Sequence, residues 1–340
     1  MKALITAAFD DEGLAALRTR MEIRYESYRE TGKLYFDAAE LAAKVRREGA
    51  DVLIVEADLV HEEVFEACDL KIVGCCRADP LNVSREAASR RGIPILFAPG
   101  RNADAVADLA LGFMLCLARN IVTVHERLRT GRIRFESMQD VTDVFNRYGG
   151  FELGGATVGI VGMGAVGKRV ARRLAAFGCA ILVYDPYVPE EAVRELGAEP
   201  VALPSLLERS DIVSLHAPLT AETRGLIDAE ALARMKPTAF LINTARSGLA
   251  DEKALLDALA RKRIRGAALD VFDEEPLQPE NPFLLQDNVI CTPHLGGASR
   301  DVIRRQSEMI AGDVLRWLRG ERPRHIWNPE VLGPPDERVP

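Results

Sequence analysis

Short apolar, β-branched runs alternate with helix-period stretches along almost the whole chain, a rhythm that predicts parallel α/β architecture. In the first third the strand-like runs fall at 2–6, 23–27, 52–56, 72–76 and 95–99. A second series falls at 157–161, 181–185, 211–216, 239–245, 266–272 and 288–294, enough for one six-stranded sheet. The first series then needs a sheet of its own, which predicts a second domain with a boundary near Pro99-Gly100. Between them, 102–120 reads as a long helix with Asn102 as its N-cap. From Ala105 to Ala118 it is apolar on nearly every side and is expected to be buried all round. A core helix within one subunit is one reading; burial partly against a second subunit is the one we favour. The polar stretch 125–150, with Arg127, Arg129, Arg132 and Arg134, would then be an arm. Beyond Gly320 the chain is rich in proline and charge, with Ile326-Trp327 to anchor it.

Length and composition narrow the class. The 340 residues predict about two domains with ample core, and 48% hydrophobic with 28% charged residues describe an ordinary globular protein. A net charge of −7 argues against nucleic acid as a partner. The six cysteines show no C-x-x-C spacing and sit mostly in apolar patterns, so no disulfide framework or metal site is expected. That pattern fits a reducing cytoplasm. The apolar N-terminus is closed too early by Asp10, Asp11 and Glu12 for a signal peptide, and no apolar run is long enough to span a bilayer. A membrane role is not expected.

The second series opens with Thr157–Val161, then Gly162-x-Gly164-x-x-Gly167, then a helical pattern. Each glycine has a physical task in a dinucleotide site. Gly162 makes the tight turn, Gly164 lets a pyrophosphate approach the backbone, and Gly167 lets helix pack on strand. The helix start offers unpaired N–H groups to the phosphates. Asp185 ends the next strand, 23 residues beyond Gly162, where an acid meets a ribose 2′-OH. A carboxylate there repels a 2′-phosphate, so NAD is expected rather than NADP.

Three later segments carry polar residues directly after strand patterns: Arg246 after AFLINTA, Asp270 and Glu275 in ALDVFDEEP, and His294 after NVICTP. Ligands of open parallel sheets bind beyond the carboxyl ends of the strands, so all three point to the edge that holds the cofactor. Taken singly, each has a dull alternative as a surface ion pair, a solvated acid or a satisfied loop imidazole. Their joint placement favours chemistry.

Together these segments resemble the D-isomer-specific 2-hydroxyacid dehydrogenases, over residues 1 to about 320. The motifs are GxGxxG with Asp185, SLHAPLT at 214–220, INTARSG at 242–248, ALDVFDEEP at 268–276 and TPHLGGAS at 292–299. The resemblance implies a catalytic set of Arg246, Glu275 and His294. It implies cofactor contacts from Gly162, Gly164, Ala165, Val166, Gly167, Asp185, His216, Pro218, Thr223, Thr244, Ala245, Asp270 and Gly296. It also implies two doubly wound parallel-sheet domains. A flavodoxin-like substrate domain (1–99 and 296–322) would be interrupted by an NAD-binding Rossmann domain (100–295), with 323–340 as a tail; the apolar helix, not the resemblance, makes 102–150 the expected dimerisation helix and arm of a homodimer. In the reaction, His294 would exchange a proton with the substrate oxygen, and Glu275 would favour its imidazolium and hold its orientation. Arg246 would grip the carboxylate of a 2-keto or 2-hydroxy acid.

The chain departs from the family where the substrate carboxylate is usually held. A glycine-rich turn is replaced by Arg77-Ala78-Asp79, followed by the usual Asn82-Val83. Aspartate tolerates a left-handed backbone, so an amide cradle at Arg77, Ala78 and Asp79 can persist. Arg77 and Arg101 could reach a second anionic group or serve in ion pairs. About twenty residues follow the last helix pattern, which weakens a feedback-regulated phosphoglycerate role without excluding phosphorylated substrates. Two alternatives stand beside the 2-keto-acid reading: a formate- or phosphite-type dehydrogenase, and an NAD(H)-sensing binding protein of the corepressor kind.

Overall fold

The computed structural model describes residues 1–333, which form two compact units. One is Met1–Arg101 together with the chain from Ser299 onward; the other is Asn102–Ala298. Residues 334–340 of the expected tail lie outside the described residues.

The first unit is built on a parallel sheet of β1 (Lys2–Ile5), β2 (Glu22–Tyr25), β3 (Val52–Val55), β4 (Ile72–Cys75) and β5 (Ile95–Phe97), in spatial order β2-β1-β3-β4-β5. β3 and β4 are buried along their whole length because helices cover both faces, which is why they read as unbroken apolar runs. The helix Arg300–Leu318 returns from the far end of the chain to cover one face. A Cβ on Gly74 of β4 would stand 2.8 Å from Ile310, so the absence of a side chain there lets the helix seat. The tail is anchored as expected: Ile326 bridges Leu96, and the Trp327 amide donates to Ile95 O at 2.8 Å. Asn328, fully buried, adds an anchor by accepting from the Ile95 amide at 2.7 Å and donating to Ile93 O at 2.9 Å.

The second unit carries β6 (Thr157–Val161), β7 (Ala180–Tyr184), β8 (Glu199–Pro200), β9 (Ile212–Leu215), β10 (Phe240–Asn243), β11 (Gly266–Leu269) and β12 (Val289–Cys291). All pair in parallel in the order β12-β11-β10-β9-β6-β7-β8. The sheet therefore has seven strands, not the expected six. The extra one is a two-residue edge ending in Pro200, too short to show a period and placed where a missing N–H is tolerated. The order reverses beside β6, so the carboxyl ends of β6 and β9 flank the switch point where ligands bind in such sheets.

Helix Ala103–Ala118 packs chiefly inside this unit, with Ala107, Ala110, Met114 and Ala118 almost fully buried. Leu109, Leu115 and Cys116 stay half-buried, so burial is not complete all round. Asn102 occupies its N-cap position, yet its side chain makes no capping hydrogen bond. The stretch expected as an arm is helical, with helices Ile121–Arg129 and Met138–Tyr148. Among the described residues no single helix is long and apolar enough to cross a membrane.

Candidate active site and dinucleotide loop

At the carboxyl end of β6 the chain turns on Gly162, whose φ of +94° suits glycine. A Cβ there would lie 2.5 Å from the Ala217 nitrogen, so the turn can close against the end of β9 only without a side chain. A Cβ on Gly167 would fall 2.1 Å from Gly162 O, as expected for helix packed on strand. Gly164 differs: a Cβ on it would meet no protein atom within 4 Å. That open side faces the start of helix Ala165–Phe177, whose first turn has neither an acidic residue nor a side-chain cap. Asp185 reaches back to this loop, its Oδ2 accepting from the Met163 amide at 2.7 Å and its Oδ1 from the Tyr187 amide at 2.9 Å. Pro218 and Thr223 line a cavity with Gly162 and Asp185, and the Thr223 hydroxyl donates to Pro218 O at 2.7 Å.

Two buried polar atoms nearby in the fold lack partners among the described residues, His216 Nδ1 and Thr244 Oγ1. His216 follows β9, with its Nε2 2.9 Å from Ser214 Oγ, and burial pushes its pKa down to about 4, so the ring is neutral. Thr244 follows β10. An open approach to Gly164, an uncapped helix start and two buried groups awaiting partners at strand ends fit a dinucleotide.

The candidate catalytic residues arise from three adjacent strand ends. At the end of β10, Asn243 makes a tight turn: its Oδ1 accepts from the Ala245 amide at 3.1 Å and its Nδ2 donates to Arg246 O at 2.8 Å. Arg246 is thereby set at the edge with an exposed side chain. After β11 comes Asp270, 1% exposed, and after β12 comes the turn that carries His294. Asp270 Oδ1 accepts from Thr292 Oγ1 at 2.5 Å and from the Leu295 amide at 2.7 Å, while Oδ2 accepts from the Gly296 amide at 2.8 Å. His294 itself has a φ of +55°, a left-handed conformation. Its Nδ1 lies 2.8 Å from Glu275 Oε2, and Glu275 Oε1 accepts from the Phe272 amide at 3.1 Å. Imidazole and carboxylate thus meet, as expected.

Three residues with local consequences went unread in the sequence. Asn243 ends β10 and Thr292 follows β12, positions where short polar side chains commonly fix a turn, and that was the available signal. Glu252 is the third; its Oε1 accepts from the Asp273 amide at 2.7 Å.

On the first unit, Arg77, Ala78 and Asp79 form an exposed loop after β4. Of the two open readings for Arg101, the fold provides an ion pair. Its Nη1 lies 2.8 Å from Glu56 Oε1 and also donates to Gln306 Oε1.

A parallel sheet with a glycine loop at its switch point, and a histidine–carboxylate pair on the same edge, defines a nucleotide-dependent oxidoreductase unit. Residues 111–296 match the family model for the NAD binding domain of D-isomer specific 2-hydroxyacid dehydrogenases. The chain is 37% identical over 338 residues to a glyoxylate reductase of Korarchaeum cryptofilum, covering 97% of each chain. It is 39% identical over 292 residues to a D-3-phosphoglycerate dehydrogenase of Methanocaldococcus jannaschii, covering 85% of this chain and 53% of that one. A crystal structure of a Thermus thermophilus protein superposes with a TM-score of 0.82 at 35% identity, covering 96% of this chain and all of that one. The chain belongs to the D-isomer specific 2-hydroxyacid dehydrogenase family, and it is an NAD-dependent enzyme of that family.

Proposed function

We propose that this chain reduces small 2-keto acids to D-2-hydroxy acids with NADH. The observation that carries the reading is the contact of His294 Nδ1 with Glu275 Oε2 at 2.8 Å, on a turn fixed by buried Asp270. When bound, NADH would supply a hydride to C2 of the substrate. His294, engaged at Nδ1, gives the proton to the developing alkoxide from its Nε2. Glu275 holds the ring in that orientation through the contact at Nδ1. Arg246 binds the carboxylate with its planar fork and steadies charge on the reacting oxygen. Asp270 holds the His294 turn. Gly162, Gly164, Ala165, Val166 and Gly167 would receive the pyrophosphate, Asp185 the ribose hydroxyls, and His216, Pro218, Thr223, Thr244, Ala245 and Gly296 the rest of the cofactor.

Arg77, Ala78 and Asp79 are assigned to substrate recognition. We assign Arg101 to the support of that unit through Glu56. A homodimer is proposed from the exposed apolar side chains of the helical arm, among them Ile121, Leu128, Phe135, Met138 and Phe145. A reducing cytoplasm suits the free thiols, three of them buried, with burial pushing Cys75 up to about 12.

The test is NADH and NADPH oxidation, side by side, with glyoxylate, hydroxypyruvate, pyruvate and longer 2-keto acids. Turnover with NADH on at least one acid is expected. Silence on all of them with activity on formate or phosphite would reverse the assignment, and a preference for NADPH would remove the role given to Asp185.

A further inference from the structure

We propose that Glu252 is a positioning residue that locks the Arg246 segment to the Glu275 loop, so that the two functional side chains are set by one carboxylate. The inference rests on the roles given above to Arg246, Glu275 and His294.

Glu252 lies six residues beyond Arg246 and opens the helix Glu252–Ala260. The intervening chain has little freedom. Asn243 Nδ2 holds Arg246 O, residues Ser247–Leu249 form a single 3₁₀ turn, and the amides of Ile227 and Asp251 pair with Leu249 O and Ile227 O. Asp251 then caps the helix, accepting from the Lys253 and Ala254 amides at 3.0 Å each. Glu252 therefore projects from a fixed base.

Its Oε1 accepts the Asp273 amide at 2.7 Å, across 21 residues of sequence. Asp273 sits midway along the loop from Asp270 to Glu275. One end of that loop is fixed by the Asp270 amide, which donates to Asn243 O at 3.0 Å. At the other end the Phe272 amide orients Glu275 Oε1, leaving Oε2 for His294. The Asp273 amide, between these points, is held by Glu252 from outside the loop. Burial raises the Glu252 carboxyl above its ordinary range, and the Asp273 amide opposes that rise without cancelling it. A half-buried carboxylate spent on one backbone amide suits a bolt between two segments.

The experiment compares Glu252→Ala with Glu252→Gln, which keeps an acceptor oxygen. Three readouts are taken on the full chain: NADH affinity by fluorescence, amide exchange over 270–276, and 2-keto-acid turnover against pH. Glu252→Ala should exchange faster at Asp273 and lose roughly 10- to 100-fold in kcat, as expected when a reacting group drifts by about 1 Å. The pH profile of its turnover should differ from that of the unmodified chain as Glu275 loosens from His294. Glu252→Gln should restore all three, and both variants should bind NADH within about twofold of the unmodified chain. Unchanged exchange at Asp273, unchanged kcat and pH profile, or a Gln variant as impaired as Ala would each overturn the proposal. Loss of NADH binding in Glu252→Ala would also overturn it, by showing a general structural role. If the unmodified chain turns over no 2-keto acid, the functional reading fails on its own, while exchange at Asp273 still decides whether Glu252 anchors the loop.

Discussion

Asp270 carries the turn of His294 on its two oxygens: Oδ2 takes the Gly296 amide at 2.8 Å while Oδ1 takes the Leu295 amide and the Thr292 hydroxyl. All three partners donate, so a charged acceptor satisfies them and an amide cannot. In Asp270→Asn one –NH₂ must face a donor inside a buried site. A buried donor left unmet costs about 1–3 kcal/mol. The variant should lose about that much stability in urea unfolding and should fall in kcat more than in NADH affinity. Stability and kcat both equal to those of the unmodified chain would show that the turn stands without Asp270.

The glycines of the dinucleotide loop separate ligand space from protein space. Gly164→Ala places a methyl where no protein atom lies within 4 Å, so fold stability should hold while NADH affinity drops. Gly167→Ala drives a methyl to 2.1 Å from Gly162 O and should destabilise the apo protein, by about 1–3 kcal/mol for an overpacked site. Thermal unfolding with and without NADH distinguishes them. A Gly164 variant that binds NADH normally would remove that residue from the phosphate site.

What the sequence revealed and what it hid follow from how far each interaction reaches. The β6 run, the three glycines and Asp185 lie within one strand–turn–helix–strand unit, so residue type and spacing convey their tasks. Arg246, Asp270 and His294 were legible because parallel strands deliver their carboxyl ends to a common edge. Pairings made only by tertiary contact were not. Arg101 meets Glu56 and Gln306, 45 and 205 positions away, and no local pattern selects that ion pair over a substrate contact. Glu252 looks like any acid in the first turn of a helix until Asp273 is folded onto it. Asn102 shows the reverse: its position was readable, but its side chain does not make the capping bond that its type allows.

His216 gives a pH signature. Its pKa is depressed from 6.5 to about 4 by burial, so between those values the unfolded chain binds a proton that the folded chain refuses. Stability from this residue is therefore complete above pH 6.5 and declines as pH falls to about 4. The total is about 3 kcal/mol, at about 1.36 kcal/mol per pH unit. His216→Asn should flatten the acid side of the apo stability curve across that window. An unchanged slope would show that the ring is charged or hydrated in the folded state.

The helical arm predicts self-association. Phe145 is 73% exposed and Met138 78% on helix Met138–Tyr148, none of whose residues is buried, and Phe135 just before it is 52% exposed. Sedimentation at micromolar concentration should give a dimer, and Phe145→Asp should shift it toward monomer. A monomer for the unmodified chain would remove the dimer.

The role of His294 is best tested without disturbing its backbone. The residue has φ +55°, a conformation that asparagine adopts more readily than alanine. His294→Asn should therefore keep the turn, with its Leu295 and Gly296 amides still on Asp270, while removing the group that carries the proton. Turnover should fall by about 10²–10⁴-fold, the contribution typical of a positioned acid or base. NADH affinity and melting temperature should stay close to those of the unmodified chain, because the glycine loop and the cofactor residues are untouched. Paired measurement of single-turnover reduction and NADH fluorescence separates the two effects. Near-normal reduction in His294→Asn would mean that the proton comes from elsewhere, and the contact with Glu275 would then be structural.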